Sequence, residues 1–177
     1  MSYTIREAKE TDIPRLNELV NSAYRGDSSK KGWTTEADLL GGVRIDEDRL
    51  GETLRDAQQK VLCLFDQSGR MLSTVNLKRF SDAKGEGCYL GMLTVDPELQ
   101  ASGLGKVMIE ESENTARAWG AKRMTMTVIQ VRPELLAYYQ RRGYQPTGEI
   151  EPFPYGDSRF GEPKRDDLHF IVLEKKL

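Results

Sequence analysis

Tyr89-Leu90-Gly91-Met92-Leu93-Thr94-Val95-Asp96-Pro97-Glu98-Leu99-Gln100-Ala101-Ser102-Gly103-Leu104-Gly105-Lys106-Val107-Met108-Ile109 reads as a strand, a tight turn and a helix. Leu93 and Val95 are β-favouring residues at period two, and Pro97 ends the strand. From Leu104 onward apolar residues recur at helical spacing: Leu104, Val107, Met108, then Ala116 and Trp119. Between the two elements lies Gln100-x-x-Gly103-x-Gly105. Glycines there let a backbone approach a ligand closely, or adopt positive φ at little cost. The first amides of a helix lack internal partners and sit at the positive end of its dipole. Such a terminus is suited to an anion, and a pyrophosphate fits it. A plain turn with a helix start produces the same pattern. The nucleotide P-loop ending Gly-Lys-Ser/Thr is absent. So is the third glycine of the dinucleotide fingerprint, where Met108 stands.

The bulk composition narrows the class. The 177 residues fit one domain spanning 1–177 with a real core. With 38% hydrophobic and 31% charged residues, disorder is not expected. A net charge of −2 argues against a generally basic nucleic-acid binder. Cys63 and Cys88 both fall within strand patterns, so no disulfide framework is expected and a reduced, cytoplasmic setting is. No signal-peptide or membrane-length apolar run is read in the chain. The lone histidine, His169, has no cysteine cluster to form a zinc site with, and no metal is expected.

Outward from the central stretch, the chain alternates between short strands and helices. Ser2–Ala8 is a weak first strand. Thr11 is placed to cap a helix whose stripe is Ile13, Leu16, Leu19, Val20 and Ala23, ending near Tyr24 before Gly26. A polar loop over Gly26–Gly32 leads to Trp33 and a short helix over Thr34–Leu40. Asp46 opens a further helix to about Gln58. Val61–Phe65, Arg70–Phe80 and Cys88–Val95 form an antiparallel meander, with a turn at Asp66–Gly69 and a loop over Ser81–Gly87. Gly120 closes the central helix. A strand over Lys122–Val131, a helix from Pro133, a strand over Tyr144–Ile150, a long loop over Glu151–Asp167 and a closing strand over Leu168–Glu174 follow.

Two motifs in this order resemble one family. Leu93-Thr94-Val95-Asp96-Pro97 with Gln100-Ala101-Ser102-Gly103-Leu104-Gly105 is similar to the acyl-CoA motif of the GCN5-related N-acetyltransferase (GNAT) superfamily. Leu135-Leu136-Ala137-Tyr138-Tyr139-Gln140-Arg141-Arg142-Gly143-Tyr144 resembles that family's later helix. The resemblance implies an α/β (α+β) fold: a central, mostly antiparallel mixed sheet flanked by helices. It implies acetyl-CoA as co-substrate. The strand residues Leu93, Thr94 and Val95 would pair with the pantetheine arm. Gln100, Ala101, Ser102, Gly103, Leu104, Gly105 and Lys106 would hold the pyrophosphate. The amide near Leu93 would polarise the thioester carbonyl. Tyr139 matches the family's general acid for the departing thiolate, a role a phenol of pKa ~10 can fill. Many members carry an asparagine where this chain has Arg132.

On the acceptor side, Glu86 stands where family members often place a base. Tyr24, Arg25, Trp33, Glu36 and Arg44 bring aromatic and charged side chains together around glycines. Arg25 or Arg44 suits a substrate carboxylate, and Trp33 suits a pocket wall. Glu36 equally suits a helix N-terminus, and Trp33 the core. Phe153-Pro154-Tyr155-Gly156-Asp157 can close from the opposite side. The expected function is direct acetyl transfer to a primary amine of a small-molecule or amino-acid-like acceptor. The alternatives are acetylation of a protein N-terminus or lysine, and a non-catalytic acyl-CoA-binding module. A homodimer is allowed through Leu168–Leu173.

Overall fold

A computed structural model describes residues 2–24, 40–41, 44–99, 102–155 and 162–177. Arg25, Trp33, Glu36, Gln100 and Ala101 lie outside the described residues, as do Gly156 and Asp157. So do the expected loop over Gly26–Gly32 and most of the expected helix over Thr34–Leu40.

The elements, in order, are β1 (Thr4–Glu7), α1 (Ile13–Tyr24), β2 (Leu40–Gly41), α2 (Glu47–Arg55), β3 (Gln59–Phe65), β4 (Met71–Asp82) and β5 (Gly85–Val95). Then come α3 (Leu104–Ala118), β6 (Arg123–Ile129), α4 (Pro133–Gln140), β7 (Gln145–Pro152), β8 (Glu162–Pro163) and β9 (His169–Lys176). Seven strands form one sheet in the order β1-β3-β4-β5-β6-β9-β7, while β2 pairs with β8 apart from it. Every pairing is antiparallel except β5 with β6.

Helices cover both faces. Val61, Cys63 and Phe65 of β3 pack with Leu16, Leu19 and Val20 of α1 and Leu50 of α2. The alternate residues Leu62 and Leu64 join Met108 and Ile109 of α3, Met124 and Met126 of β6, and Tyr144. Burial on both faces is why β3 is a continuous apolar run rather than an alternating one.

Several local expectations give way to stronger geometry. The turn before α1 is not capped by Thr11. The Asp12 carboxylate accepts from the Lys9 amide at 2.7 Å and is itself held by the Arg6 guanidinium at 2.8 Å. α2 ends at Arg55, because the Asp56 carboxylate accepts from the Gln58 amide and the Gln59 side chain and turns the chain out of the helix. Leu40, expected to end a helix, is strand, opposite Pro163. The loop expected over Ser81–Gly87 shrinks to Ala83-Lys84 between Asp82 and Gly85, which form a cross-strand pair. β7 extends to Pro152 and β8 occupies Glu162–Pro163, so the expected long loop is shorter and interrupted. β9 lies inside the sheet, bonded to β6 and β7, so Leu168–Leu173 offers no free edge to a second copy.

Candidate active site

β5 and β6 run parallel and pair only at Gly87–Tyr89 against Arg123–Thr125. Beyond that point β5 bends. Asn76 of β4 faces Gly91, and Thr74 faces Thr94, so Met92 and Leu93 together oppose Val75. This is a β-bulge, and Met92 takes φ 56 within it. A non-glycine residue at positive φ is strained. Tyr89 reaches across to β6, its phenol 2.8 Å from the Thr127 hydroxyl. Its ring lies beside Gly91, where a Cβ would come within 3.0 Å of it.

A cavity of about 640 Å³ opens over this gap. Tyr24, Arg44, Leu50, Lys78, Leu93 and Tyr139 are among its lining residues, with Glu52, Arg132, Glu151 and Phe153. Residues of the donor motif and of the acceptor-side group thus share one wall. The Tyr24 phenol donates to the Leu93 carbonyl, tying the end of α1 to the bulge. The Arg44 guanidinium lies 5.5 Å from the centre of the Tyr24 ring, and its amide donates to the Asn21 side chain at 2.6 Å.

Tyr139 is 8% exposed and packs edge-on against Tyr138 and Tyr144, at 5.4 and 6.3 Å between ring centres. Burial pushes its phenol well above the ordinary tyrosine value, and the neighbouring phenols of Tyr24, Tyr138 and Tyr89 push the same way. The group therefore stays protonated and able to donate throughout the neutral range. Arg132 is buried, its Nε donating to the Glu134 carboxylate at 2.8 Å, and it lines the cavity.

The glycine motif lies at the end of the gap. Gly103 caps α3 at φ 89, a left-handed conformation that needs glycine, and no acidic side chain stands in the helix's first turn. Gly105 is needed for space instead. A Cβ there would lie 2.7 Å from the Tyr138 phenol and 3.8 Å from Val95. The Arg142 guanidinium covers the Tyr138 ring at 4.1 Å. β5, α3 and α4 thus converge on a helix start with bare amides and cationic surroundings, a fit for a pyrophosphate. Ser102 and Lys106 are exposed there, Leu104 is buried, and Thr94 is buried with its hydroxyl donating to the Met92 carbonyl.

Glu86 is not brought to the cavity. It is exposed near the β4–β5 turn, opposite Ser81, and its carbonyl accepts from the Lys122 amide. Among the described residues, the carboxylates that do line the cavity are Glu52 and Glu151. Sequence reading missed both, together with Lys78, Tyr89 and Thr127. Gly91 inside a strand was the one available sign of the bulge. Among the described residues no cluster of His, Cys, Asp or Glu could hold a metal ion. No described helix is long and apolar enough to cross a membrane.

A mixed sheet splayed beside a bulged strand, with a glycine-capped helix at the splay, defines an acyltransferase architecture. The model of the acetyltransferase (GNAT) family matches residues 13–144, and the chain belongs to that family. It is an acetyltransferase. Similar solved structures include the ribosomal-protein-S18-alanine N-acetyltransferase from Escherichia coli, at 15% identity and TM-score 0.69 over 99% of this chain and 94% of that one. Another is an IAA acetyltransferase from Bacillus cereus, at 18% identity and TM-score 0.67 over 99% and 100%. A variant of the spermidine N-acetyltransferase from Vibrio cholerae matches at 11% identity and TM-score 0.70 over 98% and 93%. At these identities the likeness is one of fold. No curated protein matches the sequence.

Proposed function

We propose that the protein transfers the acetyl group of acetyl-CoA directly to a primary amine of a small-molecule or amino-acid-like acceptor, with residues 1–177 acting as one cytoplasmic domain. The single observation that carries this reading is the shared cavity: Leu93 and Tyr139 line the same space as Tyr24 and Arg44. A donor thioester and an acceptor amine can meet there.

Each residue has a defined task in this reading. The amides of Gly103–Lys106, with Arg142 nearby, hold the pyrophosphate; Ser102, whose own amide donates to the Leu99 carbonyl at 3.2 Å, belongs to the same motif with Gln100 and Ala101. The β5 segment over Leu93–Val95 pairs with the pantetheine arm. The amide at Leu93 polarises the thioester carbonyl, while Tyr24 fixes the bulge through the Leu93 carbonyl. The amine attacks the carbonyl carbon and the C–S bond breaks. Tyr139 then gives its proton to the departing sulfur. The amine's own proton leaves through water to a cavity carboxylate, Glu151 or Glu52; Glu86 has no part in this. Arg25, Trp33 and Glu36 belong to the acceptor side in the same proposal.

The test is release of CoA thiol from acetyl-CoA with panels of amines, amino acids, polyamines and peptides, with the wild type and Tyr139→Phe. Turnover with a small amine, lowered in Tyr139→Phe while acetyl-CoA binding is retained, is the expected result. Equal turnover by the two proteins removes Tyr139 from the chemistry. Turnover with peptides alone removes the small-molecule acceptor.

A further inference from the structure

The charges around the cavity do not balance. Among the described residues, four cations line it, Arg44, Arg49, Lys78 and Arg132, against two carboxylates, Glu52 and Glu151. The whole chain, by contrast, is net negative at −2, so the excess is local. Arg132 already holds Glu134 at 2.8 Å. Arg49 and Glu52 stand three residues apart on α2, on neighbouring positions of one helix face. Arg44 and Lys78 enter no ion pair within 4.0 Å among the described residues, although the Lys78 charge reaches the Asp56 carboxylate.

These two cations are surplus to the donor. The phosphates belong at the start of α3, which is not part of the cavity lining. The pantetheine arm carries no charge. Arg44 and Lys78 instead flank the acceptor floor. Lys78 sits directly across from Tyr89 in the β4–β5 ladder, and Asn76 across from Gly91. Paired residues point to the same face, so Lys78 and Tyr89 lie side by side on the face covered by α1 and α2. Arg44 lies over the Tyr24 ring, whose phenol meets the bulge at Leu93, with its backbone pinned by Asn21. The Tyr89 phenol, raised mainly by burial, is also influenced by the Arg44 and Glu151 charges, so both lie within electrostatic reach of that hydroxyl. Leu50, Met92, Phe153 and Phe170 supply apolar surface around them.

We propose that the acceptor is a small amine carrying a carboxylate, which Arg44 and Lys78 bind, with an apolar body lying against Leu50, Met92 and Phe153. This rests on the acetyl-transfer function proposed above and narrows its substrate. The cations do two things. They pair with the carboxylate, and they disfavour an ammonium nearby, which lowers the acceptor's pKa towards the nucleophilic free base. A polyamine, with several positive charges and no anion, meets only repulsion from them.

The experiment compares phenylalanine, phenylalaninamide, phenethylamine, the corresponding leucine set and spermidine, each at equal free-base concentration with acetyl-CoA. The proteins are the wild type, Arg44→Gln, Lys78→Gln and Lys78→Glu. Circular dichroism confirms folding, and acetyl-CoA titration reads the donor side separately. The carboxylate-bearing amines are expected to exceed their amide and decarboxylated partners in kcat/KM by about ten- to a hundred-fold. Either Gln variant should lose most of that preference through KM with acetyl-CoA affinity retained, and Lys78→Glu should gain on spermidine. Equal use of all amines, or a preference that survives in both Gln variants, overturns this inference and leaves acetyl transfer standing. Absence of CoA release with every amine, despite acetyl-CoA binding, overturns the proposed function as well.

Discussion

The Tyr138 phenolic oxygen stands 2.7 Å from the point a Cβ on Gly105 would occupy. The first turn of α3 and the middle of α4 are therefore packed to contact, with no room for a methyl group. Tyr138 cannot easily give way, since its ring lies edge-on to Tyr139 and under Arg142. Gly105→Ala is expected to weaken acetyl-CoA binding about ten-fold, by the cost of overpacking a filled contact. Replacing Tyr138 by Phe removes the clashing oxygen, and the next nearest ring atom is 3.7 Å away, an ordinary contact. The Gly105→Ala/Tyr138→Phe double variant should therefore recover most of the affinity. Calorimetric titration with CoA measures all three. Normal binding by Gly105→Ala alone would show that the close approach is not needed.

Tyr139 should leave a distinctive pH profile. Its phenol is held well above the ordinary value, first by burial. A raised acid pKa means the proton is retained as pH rises, so donation to the leaving thiolate persists up to and beyond pH ~10. kcat should show no alkaline decline from this group between pH 7 and about 10. Tyr139→Phe should lower kcat by about 10²–10⁴ at all pH values in that window. An alkaline limb centred at about pH 8 in the wild type that disappears in Tyr139→Phe would contradict the raised pKa, while a kcat unchanged in Tyr139→Phe would contradict the acid role.

The strand, turn and helix that carry the glycine motif were legible because their physics is local. Pro97 must stop a strand, glycines must free a turn, and Leu104, Val107 and Met108 repeat at helical spacing. The cavity wall around Lys78 and Tyr89 is written across strands. Lys78 and Tyr89 become neighbours only through the β4–β5 register, which neither strand shows by itself. Tyr89 and Thr127 meet only because β5 and β6 diverge just past their short pairing. The Met92 bulge is a mismatch in count between two strands, visible only once they are paired. Glu151 and Phe153 sat in what read as a loop, because the proline- and glycine-rich sequence after them hid the end of β7. Lys84-Gly85-Glu86 likewise looked like a solvated loop, yet Gly85 at φ 98 starts β5 and closes a two-residue turn.

Glu113 is a second place where burial makes a polar contact consequential. It lies on α3 at 5% exposure, accepts from the Tyr144 phenol at 2.9 Å, and meets Lys175 of β9 at 3.0 Å. Glu113→Ala leaves a buried phenol and a half-buried ammonium without their acceptor, and should cost about 2–4 kcal/mol. Lys175→Met should cost less, because that side chain is 26% exposed and its pairing is screened. Urea midpoints at pH 7 order the two. The same network sets an alkaline trend. Burial and the Glu113 charge raise the Tyr144 phenol above its unfolded value. Between its unfolded pKa of ~10 and the higher folded one, the unfolded chain sheds this proton while the folded chain keeps it. Stability from this group is thus full below pH ~10 and declines above it. A rise in stability through that range would contradict the packing.

The two thiols discriminate direct transfer from an acyl-enzyme route. Cys63 is buried against the Thr74 hydroxyl at 3.7 Å, and burial pushes its pKa up to about 12. Cys88 is buried in β5, and burial pushes its pKa up to about 11. A nucleophilic thiol needs the thiolate form, and at pH 8 these groups are almost wholly protonated and shielded from solvent. Neither lines the cavity that holds Leu93 and Tyr139. An aromatic disulfide reagent at pH 8 should therefore find no reactive thiol in the folded protein and both in denaturant. A Cys63→Ala/Cys88→Ala protein should lose stability by about 1–2 kcal/mol from the vacated volume but keep its kcat. Mass spectrometry of the wild type after incubation with acetyl-CoA should show no added acetyl group on either cysteine. An acetylated thiol that forms and decays at the rate of turnover, and is lost together with activity in the double variant, would replace direct transfer by a two-step path.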